Sequence, residues 1–217
     1  MTDNESLEKF IKKYWNYYLR LEEEFYDTRN FVEFSEDNFG TYSIEYLKLY
    51  LSVCSEIDVV GKFIAKSINS RFDLENANIK KWWAEIIEKL KYKNQYLYEF
   101  DVNFVDIKAI IPWSNFNYPS NPDANSPTWW GTYNKVKHNR TERYEDTDKE
   151  FFTQANLNNV IDAFAGLYVL EKAYIKSIAN EEEIKLLRKS KLFEKEEKCI
   201  FGVDGRKFCL NEKSMIN

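Results

Sequence analysis

The feature that most constrains this chain of 217 residues is an apolar stripe in its first third. Tyr46, Tyr50, Val53, Ile57, Val60 and Ile64 recur at three- and four-residue intervals, the spacing that puts them on one side of an α-helix. Ser43 stands where an N-cap belongs, so the spacing predicts a helix from Ser43 to about Ser70. A helix this long with one apolar side must bury that side against other elements, and the rest of the sequence supplies them. Leu7 to Phe34 carries a similar pattern, with Tyr14, Trp15, Tyr18 and Leu19 facing inward. "NIKKWWAEIIEKLKYK" reads as a third helix. Ser126 and Pro127, as N-cap and first helical residue, open a fourth that carries Trp129, Trp130, Tyr133, Val136 and His138. Ala155 to Ile178 is a fifth, and its Ala163, Ala165 and Gly166 are small enough for close helix packing.

Between these helices, residues 95–111 lean towards alternation and β-branching and predict an extended excursion. "SNFNYPSNPDANSP" is a loop. "CIFGVDGRKFC" predicts a hairpin turning at Asp204 and Gly205. The sum is an all-α fold: an up-and-down bundle of about five helices with a short extended insertion and a small C-terminal β-hairpin. One bundle domain is expected over 1–190 and a hairpin tail over 191–217.

Composition narrows the function classes. Aromatic residues make up 17% against only six Gly and four Pro, the profile of a well-packed helical protein. A net charge of −5 denies the chain a global attraction for nucleic acid, so any RNA contact must come from a local basic patch, and Lys135 to Arg143 is one. No apolar run reaches membrane-span length and "MTDNESLEKF" is not a signal peptide, which predicts a cytoplasmic protein with no membrane partner. Three cysteines with no export signal predict reduced thiols. Cys199 and Cys209 fall on opposite faces of the ribbon if the turn has two residues, and directly opposite each other if the loop has three. With a single distant histidine, neither a metal site nor a cofactor is expected.

That histidine, His138, lies in "PTWWGTYNKVKHNRTERY". On a helix it shares a face with Asn134 and Trp130, and Lys135, Lys137, His138 and Arg140 gather where the helix dipole favours cations. On the second helix Glu56 lies among Leu49, Val53, Val60 and Phe63, so it points at or near the apolar stripe and needs a cation. Lys62, Lys137, His138 and Arg140 are the candidates, in a structural ion pair or a functional pocket. The tryptophan pairs at 82/83 and 129/130 are expected in the core rather than stacking bases. No glycine-rich phosphate loop, paired-histidine metal motif or serine nucleophile elbow is present.

"YNKVKHNR", Tyr133 to Arg140, resembles the motif of the HEPN superfamily, in which Arg-Asn is followed after a few residues by His. The flanking helices containing "CSEID" and "ANLNNVIDAFAGLYVLE" fit its layout over about 43–170. Tyr133 stands in place of the family's arginine, and this chain's arginine follows the histidine, at Arg140. The resemblance implies a metal-independent endoribonuclease of a toxin or phage-defence system. His138 would be the acid or base, with Arg140 and Lys137 on the phosphate and Asn134 positioning it. Lys135, Tyr133 and Arg143 would line the substrate, and Glu56 and Asp58 would orient the cations. It also implies a homodimer with the two motifs facing each other, and an antitoxin or defence component as protein partner. A catalytically inactive scaffold, or a nucleotide- or partner-binding module, is the alternative.

Overall fold

The computed structural model describes residues 3–194, except 93, 106, 115, 122, 124, 145 and 146, together with 199–201 and 207–209. It is mostly helical. The helices are α1 (Asp3–Phe10), α2 (Asn16–Asp27), α3 (Ile44–Ile68), α4 (Ile79–Ile86), α5 (Thr128–Asn139), α6 (Leu157–Ile178) and α7 (Glu181–Leu186), with a π-helical turn (Ile11–Trp15) joining α1 to α2. The strands form antiparallel two-stranded pairs: β1 (Lys91–Tyr92) with β2 (Gln95–Tyr96), β3 (Val102–Phe104) with β4 (Lys108–Ile110), and β5 (Cys199–Phe201) with β6 (Lys207–Cys209). In the last pair Cys199 is opposite Cys209, the odd-loop register; the connecting residues 202–206 lie outside the described ones.

α3 forms as its stripe predicts. The Ser43 hydroxyl accepts the Tyr46 amide at 3.0 Å, and Tyr46, Tyr50, Val53, Ile57, Val60 and Ile64 are all buried. The main partner of α3 is α6, which is apolar nearly all round and occupies the middle of the core.

The first helix departs from expectation. Instead of running unbroken to Phe34 it passes through the π turn, where the Asn16 amide bonds the Ile11 carbonyl five residues back, and ends at Asp27. The reason is packing. Phe10 and Trp15 are five residues apart and both fully buried, and the widened turn between them brings both to the inner side. The helix from Asn78 is also shorter than its pattern suggests, stopping at Ile86.

All four paired tryptophans are core, as expected. Trp83 stacks on Trp113 at 4.6 Å, and Trp113 meets Trp129 edge-on at 5.2 Å. Three indole N–H groups find acceptors: Trp82 on Asp58 at 3.1 Å, Trp113 on the Gly166 carbonyl at 3.0 Å and Trp129 on the Pro112 carbonyl at 2.7 Å, whereas that of Trp83 is buried without one. Two glycines make room for this layer. A Cβ at Gly61 of α3 would meet the Trp82 ring at 2.6 Å, and one at Gly166 of α6 would meet Trp129 at 2.9 Å. Gly166 therefore admits the Trp129 indole and lets α5 pack closely on α6.

After α7, residues 187–194 lie back across the start of the chain. Glu22, 2% exposed, accepts from the Tyr18 hydroxyl at 2.7 Å, the Lys191 amide at 2.9 Å and the Ser190 hydroxyl. Trp15 donates to the Arg188 carbonyl at 3.1 Å, and Arg188 pairs with Glu23 at 2.6 Å. Leu192 is buried in the common core, so the packed body continues through Glu194, beyond the 190 boundary set by the sequence pattern.

Candidate functional site

α5 opens at Thr128. Pro127, with extended ψ of 144°, lies just outside it as the capping residue, and no side chain caps the helix, so the expected Ser126 cap is not formed. Trp129, Trp130, Tyr133 and Val136 are buried and anchor α5 against the body, and the Tyr50 hydroxyl donates to the Trp129 carbonyl. Tyr133 is 5% exposed and meets Tyr50 edge-on, so it is a packing residue with little surface for a substrate. Burial raises its phenol, and Lys137 pulls the other way.

The remaining motif residues are on the surface. Asn134, Lys135, Lys137, His138, Arg140 and Arg143 are all exposed. The Asn134 amide is held by the Trp130 carbonyl at 3.1 Å. The Lys137 ammonium lies 5.5 Å from the Tyr133 ring centre and that of Lys135 5.8 Å from Phe151. Arg143 pairs with Asp148 at 3.2 Å. Among the described residues Lys135, Lys137, His138 and Arg140 form no ion pair with any carboxylate. The last turns of α5 thus carry an imidazole and three cations facing water.

Glu56 and Asp58 do not act together. Two residues along a helix turn the side chain by roughly 200°, which sends the two carboxylates to opposite sides of α3. Asp58 faces α4 and α5, where it takes the Lys62 ammonium at 2.6 Å and the Trp82 indole N–H, and its charge reaches Tyr133. Glu56 faces the π turn and α6. Its electrostatic neighbours are Tyr14 and Glu171, and burial alone pushes its carboxyl up to about 7. The expected pairing of Glu56 with Lys62 or the α5 cations is not made, because Lys62 serves Asp58 and α5 lies across the helix.

The residue that Glu56 does meet is absent from the sequence reading. Glu171 of α6 is fully buried, and neither carboxylate oxygen has a hydrogen-bond partner. Burial first, then the charge of Glu56, raises its carboxyl well above the ordinary range. A signal for it exists: its helical neighbours Leu167, Tyr168, Tyr174 and Ile175 are all apolar.

At the other end of α5, about 15 Å from His138 by helical rise, a cleft of about 540 Å³ opens between β4, the loop before α5 and the first turns of α5 and α6. Its polar floor is committed internally. Lys108 bonds Asn158 at 2.6 Å and Asp162 at 3.0 Å, Asn158 also donates to Asp162 at 3.2 Å, and Asn159 donates to the Gln154 carbonyl. Burial raises the Asp162 carboxyl against the opposing pull of Lys108.

Among the described residues no cluster of three or more His, Cys, Asp or Glu side chains is arranged to hold a metal ion, and no helix is long and apolar enough to cross a membrane. No protein-family model matches the chain, and comparison with curated proteins and with solved structures gives no match either.

Proposed function

We propose that this chain binds RNA through the exposed end of α5 and that two copies meeting there form a HEPN-like, metal-independent endoribonuclease. The observation that carries the reading is the set of cations at Lys135, Lys137 and Arg140, beside His138, uncommitted to any described carboxylate in a chain of net charge −5. Cations on an otherwise acidic protein that are not neutralised internally are suited to an external polyanion. The up-and-down bundle and its dimer belong to this same reading.

The chemistry follows from the residue types. A base removes the proton of a ribose 2′-hydroxyl, the oxygen attacks the adjacent phosphorus, and the 5′-oxygen leaves with a proton from an acid, giving a cyclic phosphate and a free 5′-hydroxyl. Imidazole is suited to either transfer near neutral pH, and one imidazole per chain makes two chains the natural unit. Lys137 and Arg140 stabilise charge on the phosphate, and Asn134, already held by Trp130, is fixed in orientation beside them.

The test is incubation of purified protein with RNA in the presence of chelator. Cleavage by the parent and none by His138→Ala is the expected result; cleavage that survives His138→Ala overturns the assignment. A second reading, binding without cleavage as a scaffold, nucleotide-binding module or partner for an acidic antitoxin-type protein, is favoured by Glu56 facing away from α5. It predicts salt-sensitive RNA or partner binding that falls in Lys135→Ala/Lys137→Ala, with no cleavage.

A further inference from the structure

Glu171 poses a problem that the α5 surface does not solve: a fully buried carboxyl with both oxygens unpartnered, sharing its surroundings with a second carboxyl, Glu56. Buried polar groups without partners are rare and call for a reason. Tyr14, which feels the charge of both carboxyls, belongs to an aromatic cluster. Phe10, Tyr14, Phe63 and Tyr174 form a connected set of rings with centroid distances between 4.7 and 5.8 Å. Phe10 and Tyr14 come from the end of α1 and the π turn, Phe63 from α3, Tyr174 from α6.

The ionisable groups around the pair offer no counter-charge. Tyr14 faces it from the π turn and Tyr174 lies beside it on α6, and both are acids in the same electrostatic group. Glu8, Lys9, Lys12 and Lys13 of the first helix and turn are exposed. Lys62 of α3 is held by Asp58, and Lys172 of α6 by Glu194 at 3.1 Å and by contact with the Trp15 ring. Among the described residues no cation contributes to the shift of either carboxyl. The pair is therefore accommodated while protonated, and two negative charges in this box have no compensation.

Relief on ionisation has one accessible route. α3 and α6 are the most extensively packed helices of the body, whereas the other side of the box is the short α1 and a π turn, whose hydrogen bonding is intrinsically weaker. We propose that the Glu56–Glu171 pair is a proton-dependent clasp for the N-terminal segment: with protons retained, α1 and the π turn lie closed over the pair, and loss of those protons releases them. The clasp is independent of the proposed RNA surface, which lies on the other side of α3.

Hydrogen–deuterium exchange of residues 6–15, corrected for the intrinsic pH dependence of exchange and followed from pH 5.5 to 8.5, tests it. In the parent, protection of this segment falls by up to about tenfold per pH unit for each carboxyl that is protonated when the clasp is closed and ionised when it is open, with Glu56 contributing below about pH 7, while α6 keeps its protection. Glu171→Gln and Glu56→Gln each flatten the dependence. Should Glu171→Gln fail to fold, Glu56→Gln, at a partly exposed position, carries the test. A parent whose protection is constant over this range, or variants that lose protection in parallel with the parent, overturns the proposal.

Discussion

Gly61 and Gly131 both lie inside helices, yet alanine at the two positions should move stability in opposite directions. Replacing a helical glycine by alanine gains about 1 kcal/mol from backbone entropy where nothing else changes. Gly131 is such a case: it is exposed on α5 and a Cβ there meets nothing within 4 Å, so Gly131→Ala should stabilise by about 1 kcal/mol. At Gly61 the same Cβ would sit 2.6 to 2.7 Å from three atoms of the Trp82 ring, closer than real Cβ contacts come. Trp82 is fully buried and tied to Asp58 through its indole N–H, so the ring cannot yield by a simple rotation. Overpacking costs about 1–3 kcal/mol, and loss of a hydrogen bond to a carboxylate about 1.5–3 kcal/mol. Against a helix-propensity gain of about 1 kcal/mol, the net for Gly61→Ala is a loss of about 1.5–5 kcal/mol. Urea titrations monitored by tryptophan fluorescence and by far-ultraviolet dichroism measure both variants, with an unchanged m-value required for the comparison. Trp82→Phe shortens the ring that the new methyl meets, so the double variant should be more stable than the sum of the single effects by at least 1 kcal/mol. A Gly61→Ala protein as stable as the parent, or strict additivity with Trp82→Phe, would refute the claim that this glycine exists to seat the indole.

Two further outcomes test the electrostatics. Glu56 titrates at about 7 when folded against an ordinary 4.5, so the folded state binds the extra proton; its contribution is complete below about pH 4.5 and is lost as pH rises through about 7. The full shift corresponds to about 3 kcal/mol, which solvent screening at a partly exposed site reduces to about 1–2 kcal/mol. Glu56→Gln should remove that part of the decline in urea midpoint between pH 5 and 8, and an identical pH profile for parent and variant would count against it. Lys108→Met leaves Asp162 in its half-buried place without its cation and should cost about 2 kcal/mol, with Asp162→Asn in the same chain restoring about half. Unchanged thermal unfolding of Lys108→Met would show that the network does not hold the start of α6.

The parts of this fold that were legible in the sequence are those where one periodicity dominates. α3 announces itself through an unbroken stripe and a serine cap, and the four paired tryptophans are buried because each helix that carries them has one apolar side. The π turn was not legible, since its signal is a misfit between two otherwise good helical patterns, and Phe10 and Trp15 reveal it only once both are known to be buried. Glu56 lies next to the apolar stripe as its spacing predicts, but charge balance alone predicts a cation as its partner. Charge balance holds only for an ionised carboxyl, and burial near Glu171 favours the protonated one. The exposed end of α5 was legible as a basic cluster, while the packing role of Tyr133 follows from the orientation of α5 on α3, which a linear motif does not contain.

The clamp of residues 187–194 on Trp15, Glu22 and Glu23 has a consequence for the order in which this protein is made. Contacts that span some 165–175 positions along the chain join the π turn and α2 to residues made much later. A ribosome has released α2 long before Ser190 and Leu192 emerge, so Glu22 waits through the synthesis of nearly 170 further residues with its carboxylate in water and its neighbours uncovered. Closure of the body is then a late event, and a nascent chain halted before residue 188 should keep the inner side of α2 open to chaperones.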